Sequence, residues 1–299
     1  MITDTQTGNF SRAAARAQRP RELEDALNFH LYHPLAWRLA QGLARTPMTP
    51  NLVSVVGAGF VIAAAVAYAQ PWWPVSALLG MMLHMTWHVV DGADGDLARL
   101  TGRVSPVGEM VDGICDYVGH VVLYLVLGWL LQRQIGASAW PLAIAAGISH
   151  VIQTNHVEVQ RRSYQWWVYG KSWLGITHRL ADAPTRARGL AGFASFYLGV
   201  AAGVAGSTRL IDEAVADAGS DPERRARITE LARAEAPPLL RLLKVLGPNP
   251  RAIVLGLSML AHSPVWYFAW EVVVLNVLLV GSVQRHNAAA RRILAAIGR

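Results

Sequence analysis

Cysteine is all but missing from this chain of 299 residues, where Cys115 stands alone. That excludes an intrachain disulfide and any zinc site built from a cysteine cluster. Charge is scarce too: 16% of residues are charged against 53% hydrophobic, and the mean hydropathy is +0.28. An ordinary soluble domain carries more charge and less apolar surface. There is no internal repeat and no low-complexity tract. Nor does the chain show the usual layout of a cleavable leader, because its first apolar run begins only at Leu52, behind a stretch rich in Arg and polar groups. The first span is expected to act as its own insertion signal.

These deficits point to a helical membrane protein. Residues 52–70, 72–90 and 137–153 contain no Asp, Glu, Lys or Arg, and each approaches the ~20 apolar residues that cross a bilayer core. Segment 106–131 is equally apolar apart from Glu109, Asp112 and Asp116, and 252–284 accommodates two more spans with Pro264 between them, or one long helix. The expected fold is therefore an all-α polytopic bundle of about six transmembrane helices, with an N-terminal interfacial helix and a cytosolic helical insert. Its divisions are a polar tail over 1–33, an interfacial helix and four spans over 34–155, a mainly cytosolic insert over 156–251, and closing spans with a basic tail over 252–299.

The net charge of +7 comes from basic residues gathered beside the apolar runs, which is the positive-inside pattern and not a nucleic-acid footprint. It predicts cytosolic termini and an inner (cytoplasmic) membrane location. In 34–45, Leu35, Leu39 and Leu43 recur at helical spacing, as in a helix lying at the membrane surface or in a connector. Thr49-Pro50-Asn51 should stop that helix and open the first span. Segment 190–206 is apolar, and it is read as re-entrant or packed on the bundle, because a crossing there would carry the basic 207–251 outside. The alternative makes it span five. Gly219-Ser220-Asp221-Pro222 should separate two amphipathic helices.

Against this apolar background, Asp91–Asp116 stands out. It reads DGADGDLARLTGRVSPVGEMVDGICD and places four carboxylates at the ends of two spans. Ionisable groups there are functional-site candidates by default. Asp112 and Asp116 are four apart on one helix face, and Asp91 and Asp94 are three apart on the preceding one. Four carboxylates brought together repel unless cations neutralise them, and hard divalent metals with oxygen ligands meet that need. Gly95, Ala98 and Gly108 leave room for a flat ligand, while Arg99 has two readings, as a phosphate contact or as a support for a motif carboxylate.

The run fits D-x2-D-G-x2-A-R-x8-G-x3-D-x3-D at every fixed position, and so resembles the CDP-alcohol phosphotransferase (CDP-alcohol phosphatidyltransferase) family. In that family a TPN similar to Thr49-Pro50-Asn51 leads into the first transmembrane helix. The resemblance implies an integral-membrane transferase of phospholipid biosynthesis, in which an alcohol acceptor attacks a CDP-linked donor and CMP leaves. It implies two Mg²⁺ or Mn²⁺ ions, with Asp91, Asp94 and Asp112 on the first, Asp112 and Asp116 on the second, and Asp116 as catalytic base. Asn51, Gly95, Ala98, Arg99 and Gly108 would serve the nucleotide. The expected partners are the donor, the acceptor, membrane lipids and a second copy in a homodimer, with no nucleic acid.

Two other classes use acidic sites in membranes. The fixed Gly95, Ala98, Arg99 and Gly108 argue against a prenyltransferase, and carboxylates at span ends argue against a divalent-cation transporter, whose sites lie near the midplane. His84 and His88 have zinc spacing but no HExxH context, so hydrogen bonds within the bundle are expected of them. The polar run Ser149, His150, Gln153, Thr154, Asn155, His156 and Glu158 reads as a helix leaving the membrane near Gln153 or as the acceptor pocket. Arg161, Arg162, Lys171 and Arg285 are read as headgroup anchors or as cations for an anionic acceptor.

Overall fold

The computed structural model describes residues 20–171, 206–219 and 221–298, and all regular structure among them is helical. Segment 190–205, the one ambiguous apolar run, lies outside the described residues. A short α1 (His33–Leu43) leads to α2 (Pro50–Tyr68), which starts where Thr49 Oγ accepts from Leu52 N–H with Pro50 in the first turn. The TPN stop-and-start expected from sequence is thus built as an N-cap. Next come α3 (Val75–Leu100), α4 (Pro106–Ile135) and α5 (Ala139–Tyr169).

Three helical runs are long and apolar enough to cross a membrane, Pro50–Tyr68, Val107–Tyr169 and Val265–Ala296. The second is folded back at the turn around Gly136, whose φ of 71° suits glycine, and so comprises α4 and α5. The protein is an all-α membrane bundle.

α2 and α3 run antiparallel, with Gly57 against Trp87 and Gly80 against Tyr68. A Cβ on Gly80 would lie 2.5 Å from the Tyr68 ring, so glycine there permits the close approach. α4 against α5 is also antiparallel: Glu109 faces Arg162, His120 faces His150 and Tyr124 faces Gly147. After α6 (Gly206–Ala218) and α7 (Pro222–Val245), α8 (Pro248–Leu260) packs on α3 through Gly256 and Met81, and α9 (Val265–Ala296) closes the bundle. Asp221 caps α7 by accepting from Glu223 and Arg224 N–H, as Asp-Pro predicted.

The structure refines several expectations. The helix that carries the second expected span, α3, continues past Asp91 to Leu100. α5 does not leave the bundle at Gln153: it runs unbroken to Tyr169, and Gln153, Asn155 and His156 are buried. Of the two readings of 252–284, the structure has the one with two helical segments: the chain breaks over 261–264, where His262 has a φ of 63°, and the single long helix falls away. α8, at 13 residues, is itself shorter than a bilayer crossing. Finally, α1 buries Ala36 and Ala40 against α3 and leaves Leu35 exposed, because only small residues fit where Gly92 of α3 meets Ala36.

α6 and α7 pack on the ends of α5 and α9 through Trp167, Ile211, Val215, Ile228, Ala290 and Ile293. In this seam Asp212 accepts from Trp167 Nε1 at 2.7 Å and from Ser163 Oγ at 3.2 Å, yet burial pushes its carboxyl up from 3.8 to about 6. A raised folded-state pKa means a contribution to stability that is full below 3.8 and is lost as pH rises through about 6. Asp212→Asn mimics the protonated form. It should match the wild type at acid pH and exceed it above pH 7 by up to about 3 kcal/mol. Thermal unfolding in detergent at the two pH values checks this, and a lower midpoint for Asn at both would show that the ionised form is the one stabilised.

Candidate active site

The antiparallel pairing of α3 and α4 brings Asp91, Asp112 and Asp116 together, with carboxylate oxygens all within 4.8 Å of one another. α4 starts immediately before them because Ser105 Oγ caps Gly108 N–H and Pro106 occupies the first turn. Asp94 is buried one turn after Asp91, receives Ser54 Oγ at 2.5 Å, and lies within hydrogen-bonding reach of Asp112, as Asp91 does of Asp116. Carboxylates this close need a proton or a cation between them. Asp112 Oδ1 is buried with no hydrogen-bond partner. An all-oxygen donor set with an orphaned carboxylate oxygen fits a hard divalent cation.

Two supports escaped the sequence reading. Trp87 Nε1 donates to Asp116 Oδ1 at 3.0 Å, and Ser54 holds Asp94 from α2. Trp87 lies four residues before Asp91, on the same face of α3, and that spacing was the available signal. Ser54 had none, because the α2–α3 register is a tertiary fact.

Arg99 hydrogen-bonds none of the four motif carboxylates: its Nη2 donates at 2.6 Å to Asp96, a buried residue at a variable position of the motif. The same guanidinium covers Gly95, 3.5 Å from where a Cβ would stand. Gly108 faces Asn51, whose Oδ1 would lie 3.5 Å from a Cβ at Gly108. Asn51 itself is exposed, and Ala98 is half-buried beside them.

A cavity of about 670 Å³ opens from the aspartates and runs between α4 and α5, a size suited to a small-molecule ligand. Its mouth holds Asp91, Asp112, Asp116, Glu109, Glu158, Arg161 and Arg162. One side is apolar, with Val121, Leu125, Ile144 and Ile148, all four also exposed on the outside of the bundle. Arg162 is held by Glu158 at 2.5 Å and Glu109 at 3.8 Å, while Arg161 Nε is buried without a partner. Lys171 and Arg285 do not line the cavity. Burial and then the neighbouring Arg99 hold Lys171 below its ordinary range, and Arg285 is exposed.

The inner wall is a polar hub that sequence reasoning missed. Arg251, read as the edge of a cytosolic insert, is 2% exposed and reaches between α5 and α9. Its Nη1 meets His150 Nδ1 at 2.7 Å, Nη2 donates to Gln153 Oε1 at 2.8 Å, and Glu271 lies 3.5 Å away. The same His150 Nδ1 also lies 3.2 Å from Glu271 Oε1 and 3.1 Å from the Tyr124 hydroxyl, so Arg251, His150 and Glu271 form one cluster. Glu271, fully buried, also receives the hydroxyls of Tyr124 and Tyr267. It sits in a π turn over Trp270–Leu275, and its carbonyl takes Gln153 Nε2 at 3.1 Å.

His84 and His88 pack on Trp87, and His84 Nδ1 and His88 Nε2 are buried without the hydrogen bonds expected of them. Among the described residues, Asp91, Asp112 and Asp116 form the one group arranged for a metal.

Comparisons with known proteins agree with this geometry. The chain is 34% identical over 99 residues to archaetidylinositol phosphate synthase of Aeropyrum pernix, covering 30% of this chain and 47% of that protein. It is 24% identical over 127 residues to phosphatidylinositol phosphate synthase of Cutibacterium acnes, covering 42% and 59%. An uncharacterized class-I CDP-alcohol phosphatidyltransferase family protein of Schizosaccharomyces pombe is 28% identical over 123 residues, covering 38% and 31%. The chain thus spans about half the length of the first two relatives that it matches. The family description itself matches residues 47–207, more than half of the chain. That stretch takes in Ser54, Trp87, all four aspartates and the α4–α5 walls of the cavity, and the chain belongs to the CDP-alcohol phosphatidyltransferase family.

Proposed function

We propose that the protein transfers a phosphatidyl or other substituted phosphoryl group from a CDP-linked donor, CDP-diacylglycerol foremost, to an alcohol. The observation that carries this is the cavity, which joins a carboxylate cluster fit for divalent cations to an apolar side open along the outside of the bundle. A donor with a charged diphosphate and acyl chains has both halves of that chemistry. The acceptor hydroxyl attacks the β-phosphorus, the bond to CMP breaks, and Asp116 takes the hydroxyl proton.

Asp91, Asp94, Asp112 and Asp116 would hold one or two Mg²⁺ or Mn²⁺ ions, which supply charge neutralisation for the diphosphate and the leaving CMP. Trp87 and Ser54 fix the orientation of Asp116 and Asp94. Asn51, Gly95, Ala98, Arg99 and Gly108 form the nucleotide side, and Arg161 and Arg162 flank the cavity mouth. The basic residues around this end of the bundle support a cytosolic active site in the inner membrane, and family resemblance supports a homodimer.

The test is CMP release by the purified protein from CDP-diacylglycerol with a panel of alcohols. CMP and a phosphodiester lipid should appear together, cease with EDTA, and return with Mg²⁺ or Mn²⁺. Release of pyrophosphate from a prenyl diphosphate instead, or metal uptake into liposomes without nucleotide, would replace this reading.

A further inference from the structure

We propose that His120 is a specificity-determining contact for the acceptor, taking a hydrogen bond from a second hydroxyl of a polyhydroxy alcohol while the first reacts at Asp116; this rests on the transferase reading above. His120 lies one turn beyond Asp116 on the same face of α4, about 6 Å further along the helix, and lines the cavity. Its ring is held in place. Nδ1 meets the Asp116 carbonyl oxygen at 2.8 Å, Trp87 packs on the ring edge-on with centroids 4.8 Å apart, and His150 stacks on it at 5.4 Å. A carbonyl only accepts, so Nδ1 donates, and in the neutral ring Nε2 is left as an acceptor. Nε2 has no hydrogen-bond partner among the described residues, and it is not sealed as His84 Nδ1 and His88 Nε2 are. It offers the cavity one fixed lone pair.

The chemistry of that lone pair selects its ligand. Ester carbonyls and ionised phosphates only accept, so neither the acyl half of a CDP-linked lipid nor its diphosphate can fill it. The cytidine has donors, but Gly108 on the nucleotide side lies about 18 Å before His120 along α4, with the aspartates between them. An ammonium also donates, yet here it would lack a counter-charge: the ring neighbours are His84, Trp87 and His150, Glu271 is met by Arg251 at 3.5 Å, and Asp116 belongs to the cation cluster. An unmatched buried charge costs far more than a hydroxyl with its bond made. A hydroxyl remains. Because Asp116 takes the reacting hydroxyl, the one on His120 is a second hydroxyl of the same molecule. A free polyol and its phosphate ester both carry one, so this contact does not choose between them.

The experiment measures CMP release from CDP-diacylglycerol with Mg²⁺. Myo-inositol, inositol 1-phosphate, glycerol and glycerol 3-phosphate are compared with acceptors of a single hydroxyl: serine, ethanolamine and 3-hydroxypropyl phosphate. The best polyol should give a kcat/KM about tenfold or more above the best single-hydroxyl acceptor. Asparagine puts an amide where Nδ1 stands and glutamine where Nε2 stands, so the two variants separate the two nitrogens. His120→Asn should raise the polyol KM about five- to tenfold, as loss of a neutral hydrogen bond does, with a smaller change in kcat and an unchanged donor KM. His120→Gln should bring that KM back to within about twofold of wild type. A single-hydroxyl acceptor as the best substrate overturns the inference and leaves the transferase reading standing. So does CMP release with none of these acceptors from a preparation that binds CDP-diacylglycerol. An unchanged KM in His120→Asn, or an equal loss in both variants, overturns the Nε2 contact. If His120→Asn no longer binds the donor, the acceptor comparison on the wild type decides. Failure of the wild type to bind any CDP-linked donor removes the transferase reading and the inference with it.

Discussion

Asp116→Asn should reduce CMP release by about 10³-fold at saturating donor and acceptor, in the range that loss of a general base produces. The amide can still accept from Trp87 Nε1, which reaches Oδ1 at 3.0 Å in the wild type, so the side chain stays in place. What disappears is the charge and the ability to take a proton. Asp91, Asp94 and Asp112 remain for a cation, and donor binding, measured by calorimetry, should stay within a few-fold of wild type. Asp91→Asn should show the opposite balance, with weaker donor binding. Turnover of Asp116→Asn within tenfold of wild type would remove the base assignment.

Glu271→Gln should destabilise the folded protein by about 3–5 kcal/mol, because it leaves Arg251 buried without its counter-charge. The two are 0% and 2% exposed as side chains and 3.5 Å apart. Glutamine keeps the side-chain volume and one acceptor oxygen, and its amide can donate to the other tyrosine hydroxyl, so most of the loss reports charge and not packing. Adding Arg251→Met to Glu271→Gln should recover most of the thermal midpoint in detergent. If Glu271→Gln alone unfolds at the wild-type temperature, the pair does not act as a buried ion pair.

The carboxylate cluster was legible in the sequence for a physical reason: carboxylates are so costly near a bilayer that four of them at fixed spacing carry their own explanation. Helix starts were legible too, since Thr49-Pro50 and Asp221-Pro222 are local chemistry. The hub was not. Gln153, His156, Arg251 and Glu271 look like water-facing residues to any hydropathy reading, because polarity along the chain cannot show that polar groups on α5, α8 and α9 bond one another. Gln153 meets Asn276, and His156 meets Ser282, pairs more than a hundred residues apart. Hydropathy marks where the apolar run stops and not where the helix ends: Asp91 and Asp94 lower the apolarity but not the helicity, and α3 continues to Leu100.

The π turn over Trp270–Leu275 also works as a phase adjuster. Such a turn holds one residue more than regular winding would. Before it and in its first residues, α9 must present Tyr267 and Glu271 to the cavity hub; beyond it, the same helix must present Ser282 to His156 and Ala290 and Ile293 to α6 and α7. Those two faces are set by different neighbours. Deleting one residue from the turn would restore ordinary winding and rotate everything beyond it by about 100°, swinging Ser282 off His156 and the C-terminal half of α9 off its seam. The surplus residue lets one continuous helix serve two packing partners that are out of step with each other.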